Sequence, residues 1–533
     1  MRNYQKRNRP AFFGALICVL LSDAFAVVLQ FFKGDVLDYA IAGDSRLALR
    51  YALLLAAFIL LETAFFYGYD RLSARFAVGC LRGLKADIWE SVLARSYVAY
   101  KARAQGEYLA KYTNEAELIK ERHFSMLPML FEIVFKIVFV SAALFLLDWR
   151  IALVTLVLLT TPLYLPKLIE KRLRGAQAEY LRAVEGNLSK VNDWLSGFEV
   201  IKNFSVERGV MKRFRASNDA AMEKLLRDAE VNILARLITT LISYLSYFII
   251  LACAAGLVLS GEFSAGDFFV AVGMIDQLSY PLISLSGILR RLVAVRPACL
   301  EMEAFINAPF LGGEKREMQS LKREIRFENA TFSYGGEKPV LYGFNLTIEK
   351  GKRYLFKGPS GCGKTTAINL LLRYHDVDAG DILLDGVSVS AYSGAYRLFT
   401  VVRQEATLFC DTLRNNLAMY RGLDDEALIG VLEKLGLSKF ANRRALDGMI
   451  TENGANLSGG EKKRICLARA LLRDTEALLI DEPLANLDGV TAERIEDLLL
   501  SIENKTLIVV SHQFSENKLS AFDRVVDFSA AAP

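Results

Sequence analysis

Six stretches of nearly unbroken apolar sequence, each close to the thickness of a bilayer, constrain this chain more than anything else in it. A helix of about 20 residues crosses the ~30 Å hydrocarbon core of a membrane. The runs fall at 11–32, 48–69, 125–147, 151–169, 233–260 and 266–289. The fourth is the shortest and carries Pro162 and Pro166, which predicts a kink. After Ala308 no comparable run occurs, and short β-branched stretches alternate with helical ones, as in an α/β domain. The chain therefore reads as multi-domain: an all-α, six-helix transmembrane domain over 1–308, a linker over 309–324, and an α/β domain over 325–533. Composition agrees, with 53% hydrophobic residues and a mean hydropathy of +0.26, high for a soluble protein of this size.

Net charge is uninformative at +5, but the placement of the charges orients the membrane half. The start is basic (Arg2, Lys6, Arg7, Arg9), and the stretch 70–124 carries Arg71, Arg75, Arg82, Lys85, Arg95, Lys101, Arg103, Lys111, Lys120 and Arg122. The stretch 167–231 is similarly rich, whereas the turns near Asp44, Asp148 and Gly261 are short and nearly free of Lys and Arg. The positive-inside rule then puts the N-terminus, both long loops and the C-terminal half in the cytosol, which an even number of crossings satisfies. A multi-pass protein of a bacterial inner (plasma) membrane is expected. No small-residue cleavage site follows the basic start, so the first helix is retained. Both cytosolic loops have helical composition and should turn near 96–106 and 193–201, well beyond the membrane. The seven cysteines are scattered without a paired spacing, which argues against disulfides or a zinc site.

Chemistry concentrates in the second half. Gly358-Pro359-Ser360-Gly361-Cys362-Gly363-Lys364-Thr365 fits GxxxxGK[ST] between a strand-like segment and a helical one that opens at Thr366. The glycines let backbone N–H groups wrap phosphates at a helix N-terminus. Lys364 would reach the β- and γ-phosphates of ATP, and the Thr365 hydroxyl would hold Mg²⁺. Further on, Ala477-Leu478-Leu479-Ile480 reads as a buried strand ending in Asp481 and Glu482. Carboxylates at the C-terminal end of such a strand face the ligand crevice. Asp481 suits the metal's second shell, and Glu482 is placed to polarise an attacking water.

Between the two lies Leu457-Ser458-Gly459-Gly460-Glu461, which opens a helical segment. With the phosphate loop upstream and the carboxylate strand just downstream, this resembles the signature of the ABC ATPase family. The resemblance implies a head-to-tail dimer in which Ser458, Gly459, Gly460 and Glu461 of one copy face ATP on the other. It also implies that Tyr334, in Phe332-Ser333-Tyr334, stacks on adenine; that Gln404 contacts Mg²⁺ and senses the membrane domain; and that Thr451–Gly454 is the exporter X-loop. Asp488 falls in the D-loop, and His512, after the strand-like 506–510, is the switch histidine on the γ-phosphate. Catalysis is thus assigned to Glu482, His512 and Lys364. No element of the set is degenerate, so a homodimer is the simplest assembly, with a heterodimer open.

The likeness extends into the membrane half. Gly197–Phe204 with Glu207, Gly106-Glu107 before Asn114, Gly266-Asp267 and Pro281-Leu282 are similar to type IV ABC exporters, half-transporters with fused membrane and ATPase domains. The turns at 96–106 and 193–201 would then be coupling helices that dock near Gln404. Both ends look trimmed relative to that family. The expected function is ATP-hydrolysing export of a lipid, drug-like molecule or peptide by alternating access. An exporter-fold importer of siderophore type and a membrane-anchored ATP-binding regulator stand as alternatives; six spans argue against a nucleic-acid partner. Ionisable residues within the spans are Asp23, Glu62, Glu132, Lys136, Arg236 and Asp276, which should face a cavity or one another. Glu132 and Lys136, one turn apart, are expected to pair.

Overall fold

The computed structural model describes residues 1–533 except 165, 309–319, 336–337, 360, 393–396, 486 and 531–533. The chain forms two compact units, Met1–Ser91 with Gln105–Ala308, and Val92–Ala104 with Pro309–Pro533. Most of the expected linker lies outside the described residues.

The first unit is helical. Among the described residues five helices are long and apolar enough to cross a membrane: Arg9–Ile41, Ser45–Leu93, Gln105–Leu147, Glu207–Leu259 and Ala265–Ile306. Several far exceed a bilayer: Glu207–Leu259 has 53 residues and, at about 1.5 Å each, roughly 80 Å of length. The fourth expected span, 151–169, falls on the helices Trp149–Tyr164 and Pro166–Ser196, with Leu165 between them outside the described residues.

The charges in the spans pair differently from expectation. Lys136 does not pair with Glu132; it lies 3.9 Å from the buried Asp23 on the first membrane helix. Glu132 instead accepts the Tyr69 hydroxyl at 2.7 Å. A buried carboxylate without a cation is the more costly arrangement, so the lysine reaches across helices rather than along its own.

The second unit is α/β. Its strands are β1 Glu324–Phe332, β2 Leu341–Glu349, β3 Arg353–Lys357, β4 Ala379–Leu384, β5 Val387–Ser388, β6 Phe399–Val402, β7 Ala477–Asp481, β8 Thr506–Val510 and β9 Arg524–Asp527. A parallel sheet runs in the order β6-β7-β8-β3-β9, and an antiparallel sheet in the order β2-β1-β4-β5. β7 and β8 are buried along their whole length, which is why they are short apolar runs without alternation. β3, on the other side of β8, has the same direction, so the C-terminal ends of β3, β7 and β8 open on one edge. The short helix Tyr97–Lys101, N-capped by the Ser96 side chain, belongs with this unit. Tyr97 stacks on Tyr374 with ring centroids 3.8 Å apart, and the Arg403 guanidinium lies 5.0 Å from the same Tyr374 ring. The second expected turn, 193–201, leads into the helix Phe198–Asn203 in the first unit, with Phe198 and Val200 exposed.

Candidate active site

The loop after β3 is built around glycines that only glycine can occupy. Gly363 has φ +97°, and a Cβ there would come within 2.7 Å of Leu341. It caps the helix Lys364–Leu371, whose first turn carries Thr365 and Thr366. The Lys364 ammonium is buried and folds back on its own loop, donating to the carbonyls of Gly358 at 2.8 Å and Pro359 at 2.7 Å and touching Cys362 Sγ at 3.5 Å. An anion entering the loop would take over those donors. Gly361 has φ +84° and open space beside it; Ser360 lies outside the described residues.

Thr365 Oγ1 donates to Asp481 Oδ2 at 3.0 Å, which joins the phosphate loop to the end of β7. Burial raises the Asp481 carboxyl above its usual range, against the pull of the Thr365 hydroxyl and the Arg403 charge. A hydroxyl and a carboxylate are hard oxygen donors, and Mg²⁺ takes one or two of these from protein while keeping water and phosphate oxygens. The pair therefore fits Mg²⁺.

Glu482 follows in a strained backbone, φ +50°, held by its N–H to the Val510 carbonyl at 2.8 Å. Its Oε1 lies 2.9 Å from His512 Nδ1, while Oε2 is buried without a partner. The imidazole is exposed, so the pair faces outward from the sheet edge. A carboxylate oxygen that is desolvated and unoccupied is suited to take a proton from water.

Ser458 and Glu461 form a reciprocal capping box: Ser458 N–H donates to Glu461 Oε2 at 2.8 Å, and Glu461 N–H to Ser458 Oγ at 3.3 Å. Burial pushes the Glu461 carboxyl up, but Lys439 and the Ser458 donors outweigh it and hold it below the usual range. The box leaves the Gly459 and Gly460 start of helix Gly459–Leu471 facing out. Among the described residues no hydrogen bond or ion pair links Ser458–Glu461 to the phosphate loop. The structure thus brings Lys364, Thr365, Asp481, Glu482 and His512 onto neighbouring strand ends and leaves the signature turn apart from them. Tyr334 stands against Phe332 and His375, its hydroxyl 3.3 Å from Thr366. Gln404 is exposed just past β6, and Asp488 caps helix Gly489–Leu500 by accepting from Thr491 N–H at 3.0 Å.

Residues 12–282 match the family model for the ABC transporter transmembrane region, and residues 341–485 match the one described as ABC transporter. The chain belongs to the ABC transporters. It is an ATP hydrolase coupled to transport, with a multi-pass membrane region fused to the ATPase. Its relatives include the ATP-dependent lipid A-core flippase of Idiomarina loihiensis, 26% identical over 522 residues (96% of this chain, 90% of that one). The uncharacterized ABC transporter ATP-binding protein YwjA of Bacillus subtilis is 25% identical over 525 residues, 97% and 90% of the two chains. The solved structure of a bacterial Atm1-family ABC exporter with ATP bound superposes with a TM-score of 0.77 at 22% identity, over 97% of this chain and 93% of that one. That likeness establishes the exporter fold.

Two ABC-site neighbours escaped sequence reading. Lys463 is buried and donates to the Ala485 carbonyl at 3.3 Å; burial lowers its ammonium, against the pull of Glu482 and Asp481. Nothing in its spacing marks it, because it is one cation among several after the signature. Tyr374 sits past the phosphate-loop helix and stacks on Tyr97, a partner far away in sequence.

Proposed function

We propose that two copies of this chain clamp ATP between the phosphate loop of one and the signature turn of the other, and use it to export an amphipathic lipid, drug-like molecule or peptide by alternating access. The observation that carries the hydrolytic half is the Glu482–His512 contact at 2.9 Å beside an unpartnered carboxylate oxygen. Lys364 releases its loop carbonyls and binds the β- and γ-phosphates. Thr365 and Gln404, with Asp481 behind them in the second shell, would hold Mg²⁺, which when bound would supply neutralisation of the charge developing on the phosphates. Glu482 takes the proton of the attacking water while His512 fixes its orientation and meets the γ-phosphate. Tyr334 supports the adenine, and Asp488 positions the loop that faces the other copy. Domain limits of 1–308, 309–324 and 325–533 are retained, with the N-terminus and ATPase in the cytosol of a bacterial cell.

ATP must bind the closed pair more tightly than the open one for its energy to move the membrane helices. The ring stack from Tyr97 through Tyr374 to Arg403, next to Gln404, supports a path for that coupling. Export rather than import is supported by relatives named as flippases and by the exporter fold. Everted vesicles test the direction: ATP-dependent accumulation of a fluorescent amphiphile, absent with Glu482→Gln, is expected. Accumulation only in right-side-out vesicles would reverse it.

A further inference from the structure

The chain's first helix builds a feature that neither nucleotide binding nor transport uses. Arg2–Arg7 is fastened by its inner face: Tyr4 is buried and donates to Asp87 at 2.8 Å, Gln5 lies 3.1 Å from His123 Nε2, and the terminal amine pairs with Glu303. Gly83 permits this approach, since a Cβ there would lie 3.1 Å from the Tyr4 ring. The opposite face is turned outward. There Arg2, Lys6 and Arg9 line one side of a cavity of about 260 Å³, and Phe12, Phe13 and Leu127 line the other. None of the three cations has a hydrogen-bond or ion-pair partner among the described residues. The apolar side is firm, because Phe12 packs on Phe76 and Phe131 with centroids 5.0 and 5.7 Å away.

Three unpaired cations over an aromatic floor, where a membrane helix begins, match one chemistry: an anionic headgroup whose acyl chains run down beside the helix. A soluble anion would leave the aromatic side bare, and a zwitterionic headgroup would bring no net charge to the cations. We propose that this cavity binds one anionic phospholipid of the cytosolic leaflet, holding the N-terminal helix as a lipid-sensing strut. The leaflet rests on the cytosolic N-terminus argued above. Binding itself depends on neither orientation nor transport, so its test stands apart from that reading.

The test is native mass spectrometry of the purified full chain, titrated with phosphatidylglycerol and with phosphatidylcholine of identical acyl chains. One phosphatidylglycerol per chain should bind at least about tenfold more tightly than phosphatidylcholine. Arg2→Ala, Lys6→Ala and Arg9→Ala together should abolish that preference. Arg7→Ala, which removes an exposed charge from the same helix but outside the cavity, should preserve it. Leu127→Trp should weaken the lipid while leaving all charges in place. A preference that survives the triple variant, or that falls equally with Arg7→Ala, would overturn the site. Displacement of the lipid by equimolar glycerol 3-phosphate would overturn it as a lipid site.

Discussion

Glu482 should be both indispensable to turnover and a burden on the folded, nucleotide-free protein. Its backbone sits at φ +50°, where a non-glycine residue is strained by roughly 1–2 kcal/mol. Its buried Oε2 lacks a partner, which costs about 1–3 kcal/mol. Glu482→Gly removes both penalties. Against that gain stand the lost His512 hydrogen bond, about 0.5–1.5 kcal/mol, and the extra freedom of glycine in the unfolded chain, about 0.5–1 kcal/mol. The balance favours the variant by about 2 kcal/mol, or roughly 4–8 °C for a domain of this size. Glu482→Gln keeps the backbone strain and should melt near wild type. Differential scanning fluorimetry without nucleotide should therefore rank Gly above Gln, while phosphate release falls at least about 100-fold in both, the usual contribution of a general base. A glycine variant that melts below the glutamine variant refutes the strain argument. Glutamine turnover within about threefold of wild type removes Glu482 as the base.

Tyr374→Ala breaks a ring stack and a cation–π contact outside the hydrolytic residues, so basal ATPase should persist while transport per ATP drops several-fold; parallel transport and phosphate assays check this. Glu461→Ala removes one side of the capping box and the partner of Lys439, and should cost about 1 kcal/mol at the start of the signature helix, read as faster amide exchange there with ATP affinity of the free ATPase half unchanged. Burial pushes the Asp385 carboxyl up, but N–H donors from Lys322, Arg323 and Glu324 win and hold it below its usual range. A depressed carboxylate stabilises the fold above its unfolded pKa and loses that contribution as pH falls through the folded one. The melting gap between wild type and Asp385→Asn should accordingly be constant above about pH 5 and close below about pH 4.

The parts of the candidate hydrolytic site stand out in the sequence because they are short and local. The phosphate loop needs Gly363 where a Cβ would strike Leu341, and Asp481 and Glu482 follow a run that is buried throughout. Such requirements write themselves into consecutive residues. The membrane helices were legible by their length for the same reason. Contacts between distant segments were not legible. Lys136 chose Asp23 over the neighbouring Glu132 because burial on another helix outweighs proximity along its own, and no periodicity reports that. Tyr97 finding Tyr374, and Lys463 reaching the Ala485 carbonyl within the field of Glu482, are likewise products of the three-dimensional fold.

The proposed clamp has two copies share each nucleotide, and Ser458–Glu461, which caps its helix with its face open and apart from Lys364 of the same chain, is the surface it would use. Cross-linking between two differently marked chains measures this directly. One carries Cys362 as its sole cysteine; the other has Ser458→Cys as its sole cysteine, and both carry Glu482→Gln. With ATP and Mg²⁺ a short bifunctional maleimide should join the two chains in high yield, and without nucleotide it should not. Absence of the joined species under saturating ATP would mean that the phosphate loop and signature turn do not meet across copies.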